Sequence, residues 1–359
     1  MAARYRLIRP SELDAGLIER WHAIQQADTT FASANFSPAF TQCAGRVRAD
    51  ARVVVIENES RVVGFFPFQT GALGVGRPIG GPLSDFHGVV AEPAAEWSAD
   101  DLMRAARLAV WAFDHQVGSA ARIAPFVHSH AVSPQIDLSA GYTAYVQGRR
   151  AAGSDYIPKT EGLARKLGRE FGAVEFTLHD ASERVFGTLT GWKSRQYREA
   201  GTTDGFKVPW TTALLRQILA TAGPHFTGLC STLRVDGRLV AGHIGMRSAT
   251  HLHYWFPVYD PEFAKFSTGI ILLLRLAETL AAQGVTTIDL GKGESPYKQR
   301  LMTGQIELCE GAIERPSWLT TLRRAARGAE RLAQAEGAGA MRRLPLRIVH
   351  RLERDTKFR

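Results

Sequence analysis

The amino-acid sequence predicts an α/β fold made of two related domains, followed by a basic tail of helical character. Three observations predict it. The 359 residues exceed what one core comfortably fills and suit two domains of ordinary size. From Cys230 to Ile313, strand-like and helix-like patterns alternate in the order β-β-β-α-β-α-β. A strand-turn-strand unit beginning near Arg52 recurs near Cys230, which points to a duplicated domain.

In chain order, Ser11 to Gln26 has helical spacing. Arg52 to Phe68 then gives an apolar strand, a polar turn, and a second strand opening on Arg61, Val62, Val63 and Gly64. A Gly-rich stretch, Gly71 to Gly81, is followed by an expected helix from Ala99 to Gln116. Residues 151–170 mix Gly, Pro and charges and are expected to connect the domains, so that 1–150 form the first and 171–315 the second. In the second, Asp236-Gly237 is a tight-turn pair between strands, and Arg238, Leu239, Val240 and Gly242 repeat the earlier pattern. His251 to Val258 is a strand of aromatic and branched residues. Thr268 to Gln283 carries Ile271, Leu274, Ala277 and Ala281 at helical spacing and stops at Gly284. Val285 to Leu290 is a short buried strand, Tyr297 to Met302 a helical turn, and Ile306 to Ile313 the last strand. The tail, 316–359, is rich in Ala, Arg and Leu.

The composition, 45% hydrophobic and 22% charged, is that of a globular protein. Net charge is +9, but residues 315–359 hold 12 Lys/Arg against 4 Asp/Glu, and the rest holds 32 against 31. The body is therefore nearly neutral, which argues against a specific nucleic-acid partner. Cys43, Cys230 and Cys309 form no CxxC or Cys/His cluster, so reduced, mostly buried thiols and no metal are expected. Met1 to Pro10 has no apolar signal region, and the longest apolar run, Ile270 to Leu274, is too short to span a bilayer. A cytoplasmic location is expected. In the tail, Trp318, Leu322, Ile348 and Val349 lie among arginines, which suits either an anionic membrane surface or docking on the body.

Two segments concentrate chemistry. In Phe266-Ser267-Thr268-Gly269, Ser267 or Thr268 can cap the following helix, and Gly269 admits a close ligand. A helix N-terminus there suits a pyrophosphate such as that of coenzyme A; ordinary capping is the competing reading. The second segment runs from Asp289 through Gly291, Lys292, Gly293, Glu294 and Tyr297 to Lys298. Acyl transfer to an amine removes a proton from the amine and donates one to the leaving thiolate. Asp289 or Glu294 can serve as base or hold the acceptor, Tyr297 can protonate the thiolate, and Lys292 or Lys298 can grip a phosphate. A solvated turn is the competing reading. His243, beside the strand expected to hold the thioester, is a further catalytic candidate, although a strand histidine is commonly structural. His251 and His253 show no metal spacing. Ser84-Asp85-Phe86-His87-Gly88 reads as a turn or as a substrate-binding lip, and Lys193, Arg195 and Arg198 as an exposed face or a phosphate grip.

Leu83-Ser84-Asp85-Phe86-His87-Gly88, Tyr259-Asp260, Phe266-Ser267-Thr268-Gly269 and Asp289-Leu290-Gly291-Lys292-Gly293 with Tyr297-Lys298 resemble the CelD/BcsL-type acetyltransferases of bacterial cellulose and exopolysaccharide biosynthesis. That family lies within the GNAT-like acyl-CoA N-acyltransferases. The resemblance implies two tandem GNAT-like domains, as in the FemABX transferases, with the acyl donor in the second and the acceptor side in the first. It implies acetyl-CoA or another acyl-CoA as donor, and a sugar on a nucleotide- or lipid-linked precursor as acceptor. The sequence departs from the pattern at Phe266, where the GNAT motif has Arg or Gln, at Ile271, where it has a second Gly or Ala, and at Thr268, where this family has Pro. The expected protein is an N-acyltransferase acting on an amino sugar, with pyrophosphate at 266–269 and with Asp85, His87, Lys193 and Lys292 toward the acceptor. A FemABX-like transferase using aminoacyl-tRNA, or a non-catalytic subunit of a polysaccharide synthase complex, is the alternative.

Overall fold

The computed structural model describes residues 3–117 and 120–316; the tail expected at 316–359 lies, beyond Pro316, outside the described residues. In chain order the elements are β1 (Arg4–Ile8), α1 (Ala15–Ala27), α2 (Pro38–Val47), β2 (Ala51–Asn58), β3 (Arg61–Thr70), β4 (Val75–Pro78), β5 (Val90–Ala91), α3 (Ala99–Ala105), β6 (Val110–Gln116), α4 (Ala120–Ile123) and β7 (Val127–Asp137). They continue as α5 (Tyr142–Ala151), α6 (Tyr156–Phe171), β8 (Val174–Thr177), α7 (Glu183–Glu199), α8 (Pro209–Leu219), β9 (Thr227–Val235), β10 (Arg238–Arg247), β11 (His251–Tyr259), α9 (Thr268–Ala281), β12 (Thr287–Asp289), α10 (Pro296–Leu301) and β13 (Gly304–Glu314).

These elements divide into two compact units. Among the described residues, one is drawn from the chain up to Asp28, from Ala44–His130 and from Cys309 onward, the other from Thr29–Cys43 and Ala131–Leu308. The division differs from the expected split at 151–170. That segment is the end of α5 and most of α6, which buries Ile157, Thr160, Ala164 and Leu167. Its Pro158 falls in the first turn of α6, where proline costs no intrahelical hydrogen bond, so it begins a helix instead of marking a linker. The helix expected over Ala99 to Gln116 also ends early. Arg107 takes a left-handed conformation (φ 56°) after α3, and Val110 to Gln116 forms β6.

In the first unit, β1, β2 and β3 pair in antiparallel register, β4 continues from β3, and β6 pairs parallel with β4 and antiparallel with β13. Val54, Ile56, Phe66, Phe68, Trp111 and Phe113 fill its core with Leu102 and Met103 of α3. In the second unit the strand order is β7, β12, β11, β10, β9, β8, with β11 and β12 parallel. Leu273, Leu274, Leu276, Ala277 and Leu280 of α9 pack on Leu252, Tyr254 and Ile288.

The expected duplication is visible in the backbone. Both hairpins turn on two residues of positive φ, Glu59 (51°) and Ser60 (67°) in one, Asp236 (47°) and Gly237 (75°) in the other. These are the tight turns whose twist matches the strands they join. In both, the residue left over in the register is the third after the turn, Val63 opposite Ile56/Glu57 and Val240 opposite Leu233/Arg234. Each hairpin is followed by a short parallel pair, β4 with β6 and β11 with β12.

Candidate active site

β11 and β12 pair only at His251–His253 against Thr287–Asp289. Beyond Asp289 the chain stays with β7: the Leu290 N–H donates to Pro134 O (2.9 Å) and the Gly293 N–H to Val132 O (3.2 Å). β11 runs on to Tyr259, so a wedge opens between its outer half and the 290–298 loop. Among the described residues no strand pairs with β11 there.

At the far end of this wedge lies the start of α9. The Arg238 guanidinium pins the preceding loop, donating to Asp260 (2.8 Å) and Glu262 (2.6 Å). Ser267 occupies the N-cap position in a left-handed conformation (φ 55°), and its side chain makes no cap bond. The expected capping by Ser267 or Thr268 is therefore not made: Thr268 is buried, and its hydroxyl donates to Val240 O (3.4 Å). The Ile270 and Ile271 N–H groups donate to Ser267 O (2.9 and 3.1 Å), so without a side-chain cap the Thr268 and Gly269 N–H groups and the positive end of the helix dipole face an outside acceptor. A β-carbon on Gly269 would touch Tyr259 Cδ1 (3.3 Å), so glycine leaves room at this turn. Phe266 is 1% exposed and packs in the core with Phe263 and Leu272, so its side chain cannot grip a phosphate.

Asp289, expected to serve as base or to hold the acceptor, ends β12 at 3% exposure. It accepts from Ser133 Oγ (2.8 Å) on β7, from His253 Nδ1 (3.2 Å) on β11 and from the Gly291 N–H (2.8 Å). It ties together the strands that flank the wedge. Gly291 (φ 80°) and Gly293 (φ 92°) supply the left-handed backbone of the loop. Lys298 spans the loop from inside, its Nζ donating to Gly291 O (2.8 Å), Lys292 O (3.1 Å) and Gly293 O (3.3 Å). This is a clamp on the backbone instead of the expected phosphate grip. Lys292 is half-buried and Glu294 exposed on the same loop. Tyr297 sits in the first turn of α10; burial, with Tyr156 nearby, pushes its phenol up to about 12. It is thus a neutral O–H at ordinary pH, the form that can give a proton to a thiolate. Burial and Tyr297 also hold the Tyr254 phenol well above the usual range, and its O–H donates to Gly269 O (3.3 Å).

His243 lies wholly inside the sheet. Its ring stacks on Tyr254 (centroids 4.6 Å apart), and Nδ1 lies 3.5 Å from Ser231 Oγ. Burial pushes it down to about 3, so it is neutral and too weak a base to take a proton from an amine. The structure thus gives His243 a place in the core.

Lys193, on α7, reaches the wedge: its Nζ donates to Pro257 O (3.1 Å) and Gln196 Oε1 (2.9 Å) and lies 5.4 Å from the Tyr197 ring centroid. Burial, and then the neighbouring Lys298 ammonium, pushes it down to about 8. In the first unit, the edge of β6 beyond β4 is covered by its own chain. The His87 N–H donates to His115 O (3.2 Å) and the Val117 N–H to His87 O (3.1 Å). His87 is buried, and its Nε2 accepts from the Asp114 and His115 N–H groups (3.2 and 3.1 Å). Asp85 approaches His115 Nε2 (3.8 Å). The expected lip is therefore a segment that fills the first unit's counterpart of the wedge, with the His87 ring turned into the fold.

The 289–298 loop and the α9 junction, singled out in the sequence, flank the wedge together with Ser133, His253 and Pro257, to which the sequence assigns no role. The period-2 pattern of His251, His253 and Trp255 was the available signal for His253; nothing local marked the other two. No disulfide joins the three cysteines, and no group that could hold a metal occurs among the described residues. No described helix is long and apolar enough to cross a membrane.

Comparison with known proteins bears on this geometry. Residues 160–299 match a family model described as an acetyltransferase (GNAT) domain. The crystal structure of FemX superposes with a TM-score of 0.56 at 9% identity, covering 87% of this chain and 96% of that one. A tandem GNAT protein from the clavulanic acid biosynthesis pathway gives 0.51 at 12% identity, over 88% of this chain and 100% of that one. The C-terminal domain of a putative lysylphosphatidylglycerol synthetase from Agrobacterium fabrum gives 0.51 at 13%, over 85% and 94%. No curated protein matches the sequence. At such identities the solved structures speak for the fold, and the family match speaks for the chemistry of the second unit. The chain has a tandem GNAT-like fold, and its residues 160–299 match an acetyltransferase (GNAT) domain, which supports N-acyl transfer by that part of the chain.

Proposed function

We propose that the protein transfers an acyl group, in the first instance acetyl, from acyl-CoA to the amine of an amino sugar used in exopolysaccharide or cell-envelope assembly, as the CelD/BcsL resemblance implies. One observation carries the donor half: the wedge beside β11 ends at the N-terminus of α9, where no side chain caps the first turn. An extended thioester donor lies along an open strand edge, and its pyrophosphate meets the helix N-terminus. Gly269 allows the close approach, and Tyr297 holds the proton that the thiolate takes up. The amine nitrogen attacks the thioester carbon, the C–S bond breaks, and CoA leaves as the thiol while the amine proton passes to solvent or a base.

The test is calorimetric titration with acetyl-CoA, followed by thiol release on adding glucosamine. Binding with release of one thiol per N-acetyl group formed is expected, and Tyr297→Phe slows release by about 10²-fold or more. No heat and no stabilisation at millimolar acetyl-CoA would rule out this donor.

A further inference from the structure

The open edge of β11 has an unusual gap in its donors. The Asp260 N–H donates to Val240 O (2.9 Å), and Val258 and Phe256 stand opposite Gly242 and Ile244. Inward- and outward-facing backbone groups alternate along an antiparallel pair, so Asp260, Val258 and Phe256 turn to β10 and Tyr259, Pro257 and Trp255 to the wedge. The strand expected to present the thioester near Val258 therefore presents Pro257 at its centre, and proline has no N–H. An acyl carbonyl there finds no backbone donor at that position. The Pro257 carbonyl does face the wedge, and the Lys193 ammonium is bound to it at 3.1 Å. Gln196 takes a second N–H at 2.9 Å. An ammonium has three donors, so one remains.

We propose that Lys193 is a catalytic residue that polarises the acyl carbonyl through this third N–H, in place of the backbone donor that Pro257 lacks. The inference rests on the acyl-CoA reading above. When the amine adds to the carbonyl carbon, the C=O electron pair moves onto oxygen, and the oxyanion is held by the Lys193 ammonium. Its return re-forms the C=O bond and expels the thiolate, which is protonated as it leaves. The half-buried setting strengthens the contact, because a charge screened from water acts at lower effective dielectric. Lys298, committed to three loop carbonyls, adds positive potential from α10.

An acceptor-free measurement tests this: the infrared C=O band of bound [1-13C]acetyl-CoA, read in wild type, Lys193→Met and Lys193→Arg at saturation. Met keeps the buried alkyl stem and removes the donors. A band shifted to lower frequency in wild type, returned toward its solution position in Lys193→Met and partly restored in Lys193→Arg, is the expected result. Calorimetric Kd for acetyl-CoA should change by no more than about threefold, which excludes general disruption of the site. Where glucosamine is turned over, kcat should fall by about 10²–10³-fold in Lys193→Met. The same band in wild type and Lys193→Met overturns the assignment and leaves acyl transfer standing. If wild type binds no acetyl-CoA, the donor reading falls first and this assignment falls with it.

Discussion

Replacing Asp289 by alanine tests whether the wedge is held open from beneath. The carboxylate accepts from Ser133 Oγ, His253 Nδ1 and the Gly291 N–H, at 2.8, 3.2 and 2.8 Å. Ser133 is 0% exposed and His253 1%, so water cannot replace the lost acceptor without opening the sheet. Each stranded buried polar group costs about 1–3 kcal/mol. With Ser133 and His253 both stranded, the expected loss is about 2–5 kcal/mol, a factor of about 30 to about 5,000 in the folding equilibrium. Asp289→Asn, which keeps one acceptor oxygen, should lose about half as much. Urea unfolding followed by tryptophan fluorescence measures both, and hydrogen exchange at the Gly291 and Gly293 amides locates the damage. If Asp289→Ala unfolds within about 1 kcal/mol of wild type while thiol release collapses, the residue is a base and the pinning role is wrong.

Three further expectations concern other parts of the chain. His243 is held down at about 3 by burial, against about 6.5 when unfolded, so the unfolded state binds the extra proton between these values. Its contribution is fully present above about pH 6.5 and is lost as pH falls toward 3, at up to about 1.4 kcal/mol per pH unit. His243→Leu should flatten that limb, and parallel stability–pH curves for the two proteins would contradict the assignment. Gly228→Ala places a β-carbon 2.2 Å from Ile218 O, a backbone atom that cannot yield cheaply, so a loss of about 1–3 kcal/mol should appear as a lower Tm. The excess of positive charge in 315–359 predicts co-sedimentation with anionic liposomes that weakens as salt is raised and disappears in a 1–315 protein. Equal binding by both proteins would end that idea.

Much of the second unit was legible in its residues. Asp236-Gly237 announces a hairpin, the Ile271–Ala281 spacing announces α9, and the run from Asp289 to Lys298 announces a loop with work to do. These features follow from backbone preferences and side-chain periodicity within a few residues, so a linear reading recovers them. It fails where a local cue has two meanings. Pro158 suggests a linker but begins α6, and Arg107 ends α3 in a left-handed turn that no glycine signals. What no linear reading reaches is partnership. Ser133 lies 156 residues from Asp289, His253 36, and Lys193 64 from Pro257. Each meeting depends on which strands become neighbours and where two of them part. That choice is made by the burial and pairing of the whole sheet at once, so the roles of Asp289, Lys298 and Lys193 emerge only when the strands are in place.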